Sequence, residues 1–154
     1  MIEIKENKSL EEYISLASHP NTSTETLDEL SENKWVSVRL AVAKNPNSST
    51  ETLDKLSKNK HWLIRKSVAS NSNTRHETLD ELSEDEEWIV KCNVAKNKNT
   101  SIEILDKLSN DKDWGIRESV ASNHNTSSKT LDKLINDESN DVRIAVANNP
   151  NFYK

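Results

Sequence analysis

Hydrophobic and polar positions follow a pattern that returns every 26 residues along the chain. Two leucines three residues apart, first Leu27 and Leu30, are followed by a polar connection and then by a Val–Ala pair, first Val42 and Ala43. Residues three or four apart lie on one face of a helix, so each segment forms a buried stripe. Each unit is therefore predicted to contain two short helices.

The unit occurs five times, and a repeat at a fixed period is typical of a solenoid. We predict an all-α solenoid in which each repeat buries its apolar face against its neighbours. The first helix of each repeat is expected to be short or 3₁₀. The predicted single domain comprises an N-terminal cap helix at 1–20, five tandem repeats over 21–151 (21–46, 47–72, 73–98, 99–124 and 125–150) and a C-terminal end at 151–154.

Capping signals predict where the helices begin and end. Thr22 and Glu25 have the spacing of a capping box, in which the hydroxyl accepts an early backbone N–H. The same spacing recurs at Ser48 and Glu51, at Thr74 and Glu77, and at Thr100 and Glu103. The fifth copy has Thr126 and Lys129, so a weaker helix start is expected there. The second helix is predicted to end at an asparagine, first Asn45, in the left-handed conformation.

Composition and charge narrow the class of protein. The 154 residues are 32% hydrophobic and 31% charged, with a net charge of −5, and the regular register of the apolar residues favours a narrow folded core over disorder. The acidic balance disfavours non-specific binding to a polyanion. The lone Cys92 excludes an intramolecular disulfide. The N-terminus lacks the apolar core of a signal peptide, and we expect a monomeric cytoplasmic protein without membrane partners.

The repeat resembles a known family. The stretch Asn45–Asn71 is similar to the unit of the leucine-rich repeat variant, which reads N-P-N-x-P-x-x-x-L-x-x-L-x-x-D-x-x-x-x-V-R-x-x-V-A. The matching residues are Asn45-Pro46-Asn47, Leu53-Asp54-x-Leu56 and Arg65-x-x-Val68-Ala69. The resemblance covers all five repeats. It implies a right-handed superhelix related to HEAT and armadillo arrays, and an interaction scaffold. The family unit is slightly shorter, and this chain has no match to the iron–sulfur module of a founding member, so no cofactor is expected.

Three series of equivalent polar residues run through the repeats. The basic series is Arg39, Arg65, Lys91, Arg117 and Arg143. The acidic series is Asp28, Asp54, Asp80, Asp106 and Asp132. The connection series, six residues before the basic one, is Asn33, Asn59, Asp85, Asp111 and Asp137. The favoured interpretation is that the three series bond to each other between repeats. The alternative is a basic stripe along a phosphate backbone, which the helix spacing of about 8–10 Å fits poorly.

Tryptophans form a fourth series. Trp62, Trp88 and Trp114 precede the basic series by three residues, and Trp35 is displaced by one position. They either pack between repeats or form a partly exposed row of anchors, as tryptophan does in interfaces. Leu40 and Ile144 lie on the same side as the tryptophans and are apolar, which favours a protein over stacked bases as the partner. The candidate partner-binding residues are Trp35, Trp62, Trp88, Trp114, Leu63, Ile89 and Lys66.

The sequence offers no pattern for catalysis. His19, His61, His76 and His124 occupy four different positions of the repeat, and the single Gly115 excludes a glycine-rich phosphate loop. No catalytic, cofactor-binding or metal-binding residues are predicted. The predicted function is a non-catalytic scaffold that binds protein or peptide through a surface lined by the second helices. The alternatives are nucleic-acid binding along the basic series and an acidic decoy of a nucleic-acid-binding protein.

Overall fold

The computed structural model describes residues 8–152, in which every regular element is an α-helix. The chain divides into two compact units, residues 1–75 and 76–154. The first unit contains α1 (Leu10–Ser18), α2 (Thr24–Ser31), α3 (Val36–Lys44), α4 (Thr50–Ser57) and α5 (Trp62–Ser70). The second contains α6 (His76–Ser83), α7 (Trp88–Lys96), α8 (Ile102–Leu108), α9 (Trp114–Ser122), α10 (Ser128–Leu134) and α11 (Asn140–Asn148). The predicted all-helical solenoid of tandem repeats is confirmed.

Each unit consists of two layers of helices. In the first unit α1 packs against α3 and α3 against α5, while α2 packs against α4. In the second unit α7, α9 and α11 pack side by side, and α6 packs against α8. The first helices (α2, α4, α6, α8 and α10) are α-helical and have seven or eight residues. The cap helix α1 takes the place of a second helix, because it packs against α3.

The core follows the repeated leucine and valine pattern. In the first repeat Leu27, Val38 and Val42 have no exposed surface, and Leu30 is 1% exposed. The equivalent residues are buried in the other repeats: Leu53, Leu56, Ile64, Val68, Leu79, Leu82, Val90, Val94, Leu105, Leu108, Ile116, Val120, Leu131, Leu134, Val142 and Val146. Two residues from each helix therefore supply a thin continuous core within each unit, as expected of a solenoid.

The first helices α2, α4, α8 and α10 are capped one residue later than the capping-box pattern predicts. Ser23 is the N-cap of α2, and its Oγ accepts a hydrogen bond from the Thr26 N–H at 3.3 Å. Ser49, Ser101 and Ser127 cap α4, α8 and α10 in the same way. The fifth repeat keeps this serine cap, because Ser127 accepts from the Thr130 N–H at 3.2 Å. Its helix α10 nevertheless has no acidic residue in the first turn, so the weaker start expected there stays a prediction.

The hydroxyls that the pattern assigned to capping have another role. Thr22 Oγ1 is buried and donates to the Leu16 carbonyl at 2.5 Å, near the end of the preceding helix. The same bond joins Ser48 to Val42, Thr74 to Val68, Thr100 to Val94 and Thr126 to Val120. Helix C-termini leave carbonyls without helical partners. These hydroxyls satisfy one such carbonyl at the ends of α1, α3, α5, α7 and α9.

The asparagines that end the second helices are not left-handed. Asn45 has φ −70° and ψ 129°, and no residue of 8–152 has a positive φ. The Asn45 Nδ2 instead donates to the carbonyls of Ala17 at 2.7 Å and His19 at 3.0 Å, one repeat earlier. Asn71, Asn123 and Asn149 make the equivalent pair of bonds. Each buried amide therefore bridges two consecutive repeats.

Candidate functional site

The basic series lies against the connection between the two helices of its own repeat. Arg39 Nη1 donates to the carbonyls of Asn33 at 2.6 Å and Lys34 at 3.1 Å. Arg65, Arg117 and Arg143 donate in the same way to the carbonyls six and five residues before them. These guanidinium groups therefore stabilise the connection and do not form an open row of positive charge.

In the second unit the basic series also contacts the following repeat. Lys91 donates to the Asp111 carboxylate, and Arg117 donates from Nε to Asp137 at 2.6 Å. Arg117 is only 8% exposed, so this ion pair is largely shielded from water. The hydrogen bonds from Arg117 hold the pKa of the Asp137 carboxyl below its usual value, against the opposing effect of burial. The connection series thus receives the basic side chain of the preceding repeat.

The first unit has no carboxylate at the equivalent position. Asn59 stands where the fifth repeat has Asp137, and Arg39 stands where the fourth has Arg117. Among the residues that the structure describes, Arg39 Nε is buried without a hydrogen-bond partner. A buried donor left unpaired destabilises a fold by about 1–3 kcal/mol. The connection after α4 is therefore a place where one substitution can increase stability.

We expect Asn59→Asp to stabilise the protein by about 1 kcal/mol, because the carboxylate gives Arg39 Nε an acceptor. Urea denaturation at neutral pH measures the gain. The gain should shrink as pH falls, because a carboxyl whose pKa is lowered in the folded state stabilises only while it is ionised. Asn33→Asp is the control, since the residue 20 positions earlier is Tyr13 rather than an arginine. An equal change in the free energy of unfolding in the two variants would contradict the pairing of Arg39 with a carboxylate at position 59.

The acidic series contacts the neighbouring first helices. Asp28 accepts from Lys55 Nζ at 2.8 Å and from Thr52 Oγ1 at 3.1 Å. Asp54 pairs with Arg75, Asp80 with Lys107, and Asp106 with Thr130. The sequence predicted that the acidic series would bond to the basic series. In the structure the partners of these aspartates lie instead in the first helix of the next repeat, or, for Arg75, just before that helix. Exposed ion pairs of this kind are worth roughly 0–1 kcal/mol each.

The tryptophans differ in exposure. Trp62, Trp88 and Trp114 are the first residues of α5, α7 and α9, and they are 37%, 53% and 52% exposed. Trp35 is half-buried, with its ring centroid 5.6 Å from that of Tyr13. The Lys34 ammonium lies over the Trp35 ring, 4.6 Å from the centroid. Trp35 is therefore a packing residue of the first unit, whereas the other three present their rings to solvent.

The remaining candidate residues are less exposed than these tryptophans. Leu63 and Lys66 on α5 and Ile89 on α7 are half-buried. Ile144 on α11 is 50% exposed and was not among the predicted partner-binding residues. Its signal in the sequence is its position, since it lies four residues after Asn140, the equivalent of Trp114. Four residues make about one helical turn, so Ile144 belongs to the tryptophan side of the second helices.

An open groove of about 530 Å³ lies between α9 and α11. Trp114 and Glu118 line it from α9, Asp141 and Ile144 line it from α11, and His124 lines it from the connection after α9. Within residues 8–152 Asp141 forms no ion pair, and Glu118 accepts a hydrogen bond from Ser122 of its own helix at 3.3 Å. The groove therefore combines two large apolar side chains with two carboxylates that have no cationic partner.

Other kinds of site receive no support from the described residues. Between residues 8 and 152, no group of three or more His, Cys, Asp or Glu side chains is placed to hold a metal ion. No helix in that range has the length and apolar character needed to cross a bilayer. Cys92 is buried on α7 at 4% exposure, and this burial raises the pKa of its thiol.

These features define an all-helical tandem-repeat protein with exposed apolar residues on its second helices. No family model matches the sequence, and no curated protein matches it. Among solved structures, the chain is similar to "a leucine-rich repeat variant with a novel repetitive protein structural motif", at 20% identity and a TM-score of 0.45, over 93% of this chain and 67% of that one. It is also similar to an engineered protein, at 15% identity and a TM-score of 0.48, over 88% and 85%.

Proposed function

We propose that this chain is a non-catalytic repeat scaffold that binds a protein or peptide through the second helices of its second unit. The observation that carries the proposal is the exposure of Trp88, Trp114 and Ile144, which are 53%, 52% and 50% exposed on α7, α9 and α11. Tryptophan is enriched among the residues that dominate binding energy at interfaces. Contiguous exposed apolar side chains typically mark interaction surfaces.

The packing of the second helices supports the proposal by fixing the spacing of these anchors. α7 packs against α9, and α9 against α11. Packed helices lie about 8–10 Å apart, which an extended polypeptide spans with roughly three residues. A bound segment can therefore place apolar side chains about three residues apart against successive second helices while its backbone remains accessible to water or to side chains of the groove.

The contacts of the charged residues weigh against the alternatives. Nucleic-acid binding requires an open basic row, whereas Lys91 and Arg117 are paired with Asp111 and Asp137. An acidic decoy requires free carboxylates along the repeats, whereas Asp28 and other members of the acidic series have cationic or hydroxyl partners. An acidic decoy would also leave the exposed apolar side chains without a role.

We also propose that the repeats are related to the leucine-rich repeat variant family. The support is the physical role of the motif's two asparagines. Asn71 bridges to the carbonyls of Ala43 and Asn45, and Asn73 donates to the carbonyl of Pro46 at 2.6 Å. The two asparagines of the N-x-N motif thus bond their repeat to the previous one. The cytoplasmic location stays a prediction.

The proposal is tested by selecting peptides from a random displayed library on the full chain. The selected peptides should bind Trp88→Asn and Trp114→Asn variants roughly tenfold more weakly, as expected when interface anchors are removed. Asparagine is chosen because Asn140 occupies the equivalent position in the fifth repeat, so the fold accommodates it.

The matched control is Ile102→Ser. Ile102 is 52% exposed on the first helix α8, and its equivalent in the fifth repeat is Ser128. This variant loses an exposed apolar side chain outside the proposed surface, so binding should be retained. Peptides that bind the tryptophan variants as tightly as the unchanged chain would refute the proposed surface, as would a selection that yields no specific peptide.

A further inference from the structure

We infer that the groove between α9 and α11 receives a basic side chain of the partner, an arginine or lysine flanked by apolar residues. The inference rests on the proposed function, and it names the chemistry of the polypeptide segment that this surface takes. Its basis is the combination, in one groove of the second unit, of apolar walls and two carboxylates that form no ion pair within residues 8–152.

The two carboxylates come from different helices. Glu118 lies on α9 and Asp141 on α11, and both line the same groove. Within the described part of the chain neither has a cationic partner, although ion pairs are frequent elsewhere in the repeats. A cation between them would interact favourably with both, and the pair is therefore complementary to a positively charged side chain.

The apolar walls suit the rest of such a side chain. Trp114 and Ile144 line the groove beside the carboxylates. Lysine and arginine pack their aliphatic stems along apolar surface while the charged head stays in contact with polar groups. A guanidinium group also stacks favourably on an indole ring. A purely aliphatic side chain would use the walls but leave the charges of Glu118 and Asp141 partly desolvated without a cation.

The other grooves show that the fold itself does not require this pair of carboxylates. Between α3 and α5 the equivalent residues are Leu40 and Leu63. Between α7 and α9 they are Cys92 and Gly115. The same helix pairs form with each set of side chains, so Glu118 and Asp141 are not needed for packing. The location of Glu118 and Asp141 in one groove instead fits a role in recognition. The two carboxylates attract a partner with a basic residue and repel a partner with an acidic residue.

The decisive experiment uses the peptides selected on the full chain. They should contain arginine or lysine between apolar residues, and replacing that residue by neutral citrulline or norleucine should weaken binding roughly five- to twentyfold, as expected for two partly exposed charge contacts. Glu118→Gln and Asp141→Asn should each weaken binding roughly two- to fivefold and reduce the effect of the neutral replacement. Higher salt should also weaken binding, because exposed charges are screened.

Asp132→Asn is the matched control, since it makes the same change in net charge at an exposed residue on α10, a first helix. It should leave binding unchanged. Selected peptides that depend on Trp114 but lack a basic residue, or that tolerate its neutral replacement, would overturn this inference and leave the proposed function standing. Peptides that ignore Trp114→Asn, or no enriched peptides, would overturn both.

Discussion

Asn123→Asp is expected to lower the free energy of unfolding by roughly 3–5 kcal/mol at neutral pH, the effect of a buried charge without a partner. Asn123 is 8% exposed, and its Nδ2 donates to the carbonyls of Ala95 at 2.6 Å and Asn97 at 3.0 Å. In an ionised carboxylate the oxygen that replaces Nδ2 would face these two carbonyl oxygens, while the other oxygen would still accept from the Asn125 N–H. The bridge between the third and fourth repeats would become a repulsion in a site that is largely closed to water.

The same variant should be sensitive to pH. Burial and the two facing carbonyls favour the protonated carboxyl, which raises its pKa in the folded state. The destabilisation should therefore be smallest in acid and grow as pH rises through the carboxyl range. Urea denaturation at several pH values measures it. Asn148→Asp on α11 is the control, because Asn148 is exposed. A loss that is equal in the two variants, or independent of pH, would argue against the amide bridge.

Leu105→Ala is expected to destabilise the protein by roughly 2–5 kcal/mol, because it leaves a cavity in the core between the helix layers. Leu105 has no exposed surface on α8. The control lies in the same helix, where Ile102 is 52% exposed. Ile102→Ala should change stability by roughly 0.5 kcal/mol or less. Thermal denaturation of the two variants compares them. A neutral Leu105→Ala variant would show that the leucine register is misassigned.

The fold could be predicted from the sequence because its core consists of few, regularly spaced residues. Leu27 and Val42 recur at the same spacing in every repeat, and each position is buried in each repeat. The repeat shows directly which residues are equivalent, so helix periodicity is read five times in register. The two helices of each repeat and their buried faces could therefore be predicted from this repeated spacing.

The helix ends could not be predicted, because they depend on bonds between distant residues. Thr22 and Ser23 are adjacent hydroxyl residues, and either one fits a cap. Ser23 caps α2 because Thr22 donates to the Leu16 carbonyl of α1, a contact that requires the packed helices. The sequence likewise predicted a left-handed conformation for Asn45, because a local pattern cannot show that its amide bonds to carbonyls more than 25 residues earlier.

The candidate site was only partly visible in the sequence. Trp88 and Trp114 stood out because tryptophans recur at one position of the repeat, but their spacing did not show whether they were buried. Trp35, one position away, packs on Tyr13 instead. Glu118 and Asp141 occupy positions that vary between repeats, and 23 residues separate them in sequence. Only the packing of α9 against α11 places them in one groove.

The central claim is that a polypeptide binds the second-helix surface of the second unit. The most direct test follows the four tryptophan indole N–H signals by NMR while a selected peptide is added, with assignments from the asparagine variants of Trp62, Trp88 and Trp114. We predict that these two signals shift on binding and that the signal of Trp35 does not. Saturated binding that shifts Trp35 and leaves Trp88 and Trp114 unchanged would contradict the claim.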